Sequence, residues 1–370
     1  MTSPAALTRP RLRRAAGFLS EKVLRSAPVD PAALDPAVVR WLTRSAAQLD
    51  PDALRAEVEA LAGPRSRLHW PEAMREAEQH VSDALGDAGW QVKRQPVTVR
   101  AGLGLRDHDD FRRTRYRDLT GANVVALKPG EERAALVVLA HLDTVRDSPG
   151  ANDNTAAVVA VLNLARVLAP LELRHSVILA VTDFEEIGLF GARALVSELR
   201  RERPLVAAIN LETIGYVDSR PGSQRLPGGI GAVYPQQLDA LRRRGLRGDF
   251  MALIHDGRAR RLAATYAAAL AEVAGPHVPV TLPAPGSLAR VAPLLVHAIP
   301  LVRNFARGDH VAFWEAGIPA LQVTDTANFR YDAYHRPGDT PDRLDYGHLA
   351  SVIAATAGAV VALDSRSMVA

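Results

Sequence analysis

From about residue 90 onward, short apolar runs rich in Val, Ile and Leu alternate with longer stretches of helical spacing. The runs at 124–127, 136–140, 177–181 and 205–209 have the length and continuity of strands buried on both faces of a parallel sheet. Residues 91–99 read as a further strand. Residues 154–168, 189–199 and 260–273 carry apolar positions at helical spacing, and 344–363 reads as a C-terminal helix. Strands alternating with helices predict an α/β fold, a three-layer αβα sandwich around a mixed, largely parallel central sheet.

Ahead of this alternation, Asp50-Pro51 forms a helix start, with Asp as N-cap and Pro at the first helical position, followed by Leu54, Val58 and Leu61 on one face. Residues 1–48 read as a polar, helical extension and 49–370 as the principal domain. Pro221-Gly222 and Pro227-Gly228-Gly229 break the rhythm, so 217–249 is expected to be an insertion that shapes an entrance to a site.

A chain of 370 residues with 48% hydrophobic content can bury a large core. No apolar run is expected to cross a membrane. Arg13-Arg14 is not expected to begin an export signal, because Glu21 and Lys22 interrupt the apolar stretch behind it. Together with the absence of cysteine, this predicts a cytoplasmic protein. The net charge of +4 comes from arginines interleaved with acids, without the aromatic-lined basic stripe of a nucleic-acid module, so no nucleic-acid partner is expected.

Five side chains of metal-ligand type fall in order along the chain: His141, Asp153, Glu186, Glu212 and His335. Two imidazoles and three carboxylates suffice for two divalent ions with one carboxylate shared, a combination suited to hydrolysis. His141, Glu185-Glu186 and Glu212 each follow a predicted strand, at the edge of an open α/β sheet where ligand crevices form. Each has an ordinary alternative. Asp153 could cap the next helix, Glu185-Glu186 could be first-turn acids, and the histidines could be hydrogen-bonded loop residues. A dinuclear site accounts for all of them together.

The segments Ala-His-Leu-Asp-Thr-Val (140–145), Gly-Ala-Asn-Asp-Asn (150–154), Glu-Glu-Ile-Gly-Leu-Phe-Gly-Ala (185–192), Ile-Asn-Leu-Glu-Thr-Ile-Gly-Tyr (209–216), Gly-Asp-His-Val-Ala-Phe (308–313) and Tyr-His-Arg-Pro-Gly-Asp-Thr (334–340) resemble those of the M28 di-zinc aminopeptidases in order and spacing. The resemblance implies one zinc on His141 and Glu212, another on Glu186 and His335, and Asp153 bridging them. Cobalt or manganese are other ions such a set could take. Glu185 would be the general base, and Tyr334 a donor to the developing oxyanion. Asp143 is expected to accept the free ring N–H of His141, with Asp339 and His310 in support. The chain departs from the family pattern at Thr155-Ala156-Ala157, where a Ser-Gly pair is usual, and at Glu212, where Asp is commoner.

The leading expectation is a metallo-exopeptidase, an aminopeptidase acting on peptides or small aminoacyl compounds. A glutaminyl-cyclase-like acyltransferase with one zinc is a second reading. A carboxypeptidase or dipeptidase is a third, prompted by Arg303, Arg307 and Arg330 near the last two motifs. A non-catalytic interaction domain is disfavoured by the complete ligand set. Oligomeric state is not legible.

Overall fold

The computed structural model describes residues 26–106, 109–284 and 304–364. Residues 1–25 of the predicted extension and the candidate Arg303 lie outside the described residues.

Eight strands form one mixed sheet in the order β1-β2-β4-β3-β5-β8-β6-β7. They are β1 (Gln91–Arg106), β2 (Asp109–Lys128), β3 (Glu132–His141), β4 (His175–Thr182), β5 (Leu205–Glu212), β6 (Met251–His255), β7 (Pro279–Pro283) and β8 (Ala320–Thr324). The central strands β4, β3, β5 and β8 run parallel. β2 joins β4, and β6 joins β8, in antiparallel sense.

Alternate side chains of β3 enter opposite layers, as the period of two requires. Leu136, Val138 and Ala140 face one core, and Ala135, Val137 and Leu139 the other. The first layer is built from α1 (Pro36–Ala46), α2 (Pro51–Leu61), α3 (Pro71–Asp87), α4 (Ala156–Leu168), α8 (Arg260–Ala274) and α10 (Tyr346–Asp364). The second holds α5 (Phe190–Glu202), α6 (Ile230–Val233), α7 (Pro235–Arg243) and α9 (His310–Glu315). This is the three-layer sandwich expected from the alternation.

The boundary at 48/49 does not separate two units over the described residues. Leu42 of α1 is fully buried in the first core. Ahead of α1, Val29 N–H donates to Thr281 Oγ1 at 2.7 Å and Ala32 N–H to the Ala264 carbonyl at 3.0 Å. An amphipathic helix with few apolar residues looks accessory in sequence, but its stripe completes the cover of α10.

One described helix, α10, is long and apolar enough to cross a membrane, contrary to the sequence reading. Its Leu349, Val352 and Ile353 are instead wholly buried within the first core, each contributing about 1.5–3 kcal/mol by burial. The helix is apolar all round because neighbours surround it.

The strand predicted at 91–99 continues to Arg106 and pairs with β2 as a long hairpin. Its outer part lies on the turn after β4, where Leu105 N–H donates to the Ile187 carbonyl at 3.0 Å. Gly104 makes that approach possible, because a Cβ there would stand 1.9 Å from the Ile187 oxygen.

Candidate metal centre

The carboxyl ends of the parallel strands deliver the predicted side chains to one place. His141 ends β3, Glu212 ends β5, and Glu185 and Glu186 lie in the turn after β4. Asp153 sits in a short irregular turn (Ala151–Thr155) before α4, and His335 in the loop after β8, with φ of 58°.

His141 Nε2 lies 3.1 Å from Asp153 Oδ1 and 3.3 Å from Glu212 Oε1. His335 Nε2 lies 3.1 Å from Asp153 Oδ2 and 3.2 Å from Glu186 Oε2. Asp153 is thus divided between two imidazole–carboxylate pairs, one oxygen to each. Donors placed about 2.0 Å from a zinc at tetrahedral corners stand about 3.3 Å apart, so these four imidazole–carboxylate separations are those of neighbouring donors in a zinc shell. Glu186 Oε1 and Glu212 Oε2 are buried and accept no hydrogen bond from the described residues. Buried carboxylate oxygens are normally satisfied, so these point to a cation. The donor set therefore fits two divalent ions.

The alternatives for Asp153 and for Glu185-Glu186 do not match their positions. Helix α4 begins at Ala156, two residues beyond the start read from the sequence, and Asp153 does not cap it. Glu185 and Glu186 precede the first turn of α5, which starts at Phe190.

The residues around Asp153 fix its place. Asn154 Nδ2 donates to the Leu211 carbonyl at 2.9 Å and its Oδ1 accepts from Thr213 N at 3.1 Å, clamping the end of β5 beside Glu212. Asn152 Oδ1 accepts from Gly215 N at 2.8 Å. Asp339 accepts the backbone N–H of Asn152 at 2.8 Å and of Asp153 at 3.1 Å. Burial, with the nearby Asp153 charge, pushes the Asp339 carboxyl up to about 7. Burial would raise Asp153 as well, but the imidazoles of His141 and His335 hold it below the usual carboxylate range.

Asp143 is placed differently from expectation. Its backbone carbonyl, not its carboxylate, lies 2.9 Å from His141 Nδ1, and the carboxylate is 3.7 Å away. The carboxylate instead accepts the N–H groups of Glu185 at 3.0 Å and Glu186 at 3.1 Å. It therefore holds the turn that carries the candidate base.

Glu185 lines a cavity of 1160 Å³ that opens beside the cluster. Burial raises its carboxyl well above the usual range; Glu212, Glu186 and Asp309 add to the rise, against the pull of His141. The Tyr334 ring stacks on the His335 ring, with centroids 3.8 Å apart, and its hydroxyl accepts from Arg307 Nη2 at 2.8 Å. His310 is not brought to the cluster. Its Nε2 bonds the Phe305 carbonyl at 3.0 Å, and burial lowers its imidazole to about 4. The preceding residue, Asp309, is the one near the site: it accepts the Thr182 hydroxyl, and burial, with Glu212 adding, raises it to about 6.

Arg65 carries no signal in the sequence, where it is one arginine among many. It is buried beneath the cluster. Its Nε donates to the Leu142 carbonyl at 3.0 Å, Nη1 to Leu61 O at 2.8 Å and Gly63 O at 2.7 Å, and Nη2 to Thr155 Oγ1 at 2.7 Å. It ties the segment after His141 to the turn of Asp153. Arg65→Met is expected to weaken zinc binding about 10- to 100-fold and to destabilise the fold by about 2–4 kcal/mol through orphaned acceptors. Competition titration and denaturant unfolding would measure both. A folded variant with parental zinc affinity would confine Arg65 to stability.

Two imidazoles and three carboxylates at the carboxyl edge of an open α/β sheet, beside a large cavity, define a metallohydrolase. The sequence profile of peptidase family M28 matches residues 123–244 and 291–360. The chain belongs to peptidase family M28.

Among relatives, the uncharacterized protein YfbL of Escherichia coli K12 is 29% identical over 303 residues, covering 78% of this chain and 80% of that protein. A probable zinc metalloprotease of Leptosphaeria maculans is 31% identical over 246 residues, or 62% of this chain. The match spans about half, 52%, of that fungal protein. In structure the chain resembles an aminopeptidase from Aneurinibacillus sp. strain AM-1, with TM-score 0.61, 15% identity and coverage of 88% of this chain and 96% of that one. It also resembles glutaminyl cyclase from Porphyromonas gingivalis, with TM-score 0.58, 15% identity and coverage of 85% and 98%. At such identities the likeness concerns the fold, which both activities share.

Proposed function

We propose that this chain is a zinc-dependent exopeptidase that removes an N-terminal residue from peptides, with two zinc ions and Glu185 as general base. The observation that carries the reading is the division of Asp153 between the His141–Glu212 pair and the His335–Glu186 pair. The name of the fungal relative supports zinc as the metal.

Bound zinc ions would polarise the scissile carbonyl and bring the pKa of water near neutrality. Glu185 accepts the proton of the attacking water and returns it to the leaving amine. Its turn is held for this by Asp143, through the two backbone N–H groups of Glu185 and Glu186. Tyr334, fixed by its stack on His335, presents its hydroxyl along the cavity wall as a donor to the developing oxyanion.

A cyclase-like reading needs one metal, whereas here a second imidazole–carboxylate pair stands ready at Glu186 and His335. Mass spectrometry of the purified protein tests the choice. Two zinc equivalents are expected, with hydrolysis of aminoacyl arylamides lost on chelation and restored by zinc. One equivalent, with cyclisation of N-terminal glutamine, would transfer the site to the cyclase class. No bound metal after reconstitution would end both readings.

A further inference from the structure

Two carboxamides stand side by side on the sheet face that carries Glu212. Asn210 on β5 and Gln322 on β8 are paired in register, two residues back from the pair of Glu212 and Thr324. They are 0% and 4% exposed. Their neighbours on that face are apolar: Ala208 and Ala320 two residues earlier along the same strands, and Ile254 beside Gln322 on β6.

Asn210 Nδ2, Asn210 Oδ1 and Gln322 Oε1 are buried without a hydrogen-bond partner among the described residues. The backbone at Gly308 lies directly against both side chains, since a Cβ there would stand 3.0 Å from Asn210 Nδ2 and 3.1 Å from Gln322 Oε1. Buried amide groups are normally bonded, and leaving them open is costly. Asn210 is wholly enclosed, whereas Gln322 borders the 1160 Å³ cavity beside Glu185, Glu186 and Glu212. With Oε1 turned inward, Nε2 is the end of the carboxamide left for the cavity, and a half-turn about the last side-chain bond exchanges donor and acceptor.

We infer that Gln322 hydrogen-bonds the end of the substrate's N-terminal side chain, so that the site prefers peptides beginning with glutamine. The inference rests on the peptidase reading above. A second carboxamide answers the first in either orientation, donor to acceptor and acceptor to donor. Strands rise ~3.3 Å per residue, which places Gln322 ~7 Å along the floor from the Glu212 end. A glutamine side chain bridges a gap of that order, and asparagine is one methylene shorter. Phe250, Ile254 and Leu282 also line the cavity. A carboxylate or ammonium end would lose its water against them, so neutral glutamine is favoured over glutamate or lysine.

The test compares glutaminyl and methionyl para-nitroanilides, whose side chains are close in length, on the zinc-loaded enzyme, following nitroaniline and ammonia together. The glutaminyl compound is expected to be favoured about 10- to 100-fold in kcat/KM. In Gln322→Met the ratio should fall below about one as the methionyl compound gains, and Gln322→Asn should give an intermediate ratio. A ratio near one in the parent overturns the inference and leaves the two carboxamides to bound water. So does a Gln322→Met variant that slows both substrates equally or keeps the parental preference. Should Gln322→Met not fold, calorimetric binding of glutaminamide and methioninamide to zinc-loaded Glu185→Gln, with and without Gln322→Asn, reads the same discrimination without turnover, and equal affinities would overturn it. If the glutaminyl compound releases ammonia in place of nitroaniline, and does so through Gln322, the peptidase reading fails and the carboxamide contact stands.

Discussion

Asp153→Ala is expected to empty both metal positions together, taking zinc content from two equivalents to less than about half of one and activity below about one-thousandth of the parent. The magnitude follows from losing water activation near neutral pH. The joint loss follows from geometry: Asp153 Oδ1 serves the His141 side and Oδ2 the His335 side. Glu212→Ala and Glu186→Ala each touch one side only, so each should lose one equivalent first. Metal analysis of the three variants at matched free zinc separates the cases. Two equivalents retained in Asp153→Ala would dismiss the shared carboxylate, whatever happened to the rate.

Glu185→Gln should do the reverse, keeping the metal and losing the chemistry. The amide has nearly the shape of the carboxylate but cannot accept a proton, so kcat should drop about 10²- to 10⁴-fold. KM should move much less, since the backbone N–H bonds to Asp143 that set the turn do not involve the altered side chain. Steady-state kinetics beside metal analysis would check this. A variant within about threefold of parental kcat would remove Glu185 from the proton path, and one that lost zinc would recast it as a ligand.

Much of the architecture was legible because its signals are local. Buried parallel strands announce themselves as short apolar runs, and β3, β4 and β5 lie where those runs are. The strands β6, β7 and β8 are five residues each and carry no periodicity that separates them from their surroundings. The full length of the hairpin is not legible in the sequence for another reason: its outer part, with Gly102, Gly104 and many arginines, has the composition of a loop. It is a strand because it continues the antiparallel pairing with β2, and Gly104 lets it lie against Ile187.

The sequence by itself determined the candidate donors and their order: His141, Asp153, Glu186, Glu212 and His335, with His141 and Glu212 at strand ends. Topology then carries strand ends to one edge without needing exact geometry. Only the tertiary structure decided which oxygen of Asp153 faces which imidazole, that the Asp143 carboxylate holds the Glu185–Glu186 turn, and that Asp309 rather than His310 borders the site. It alone brought in Arg65, whose bond to Thr155 spans 90 residues of chain, and placed α10 in the core. Those outcomes depend on contacts between residues far apart in sequence, and neither spacing nor composition along a chain records which distant acceptor a given donor will meet.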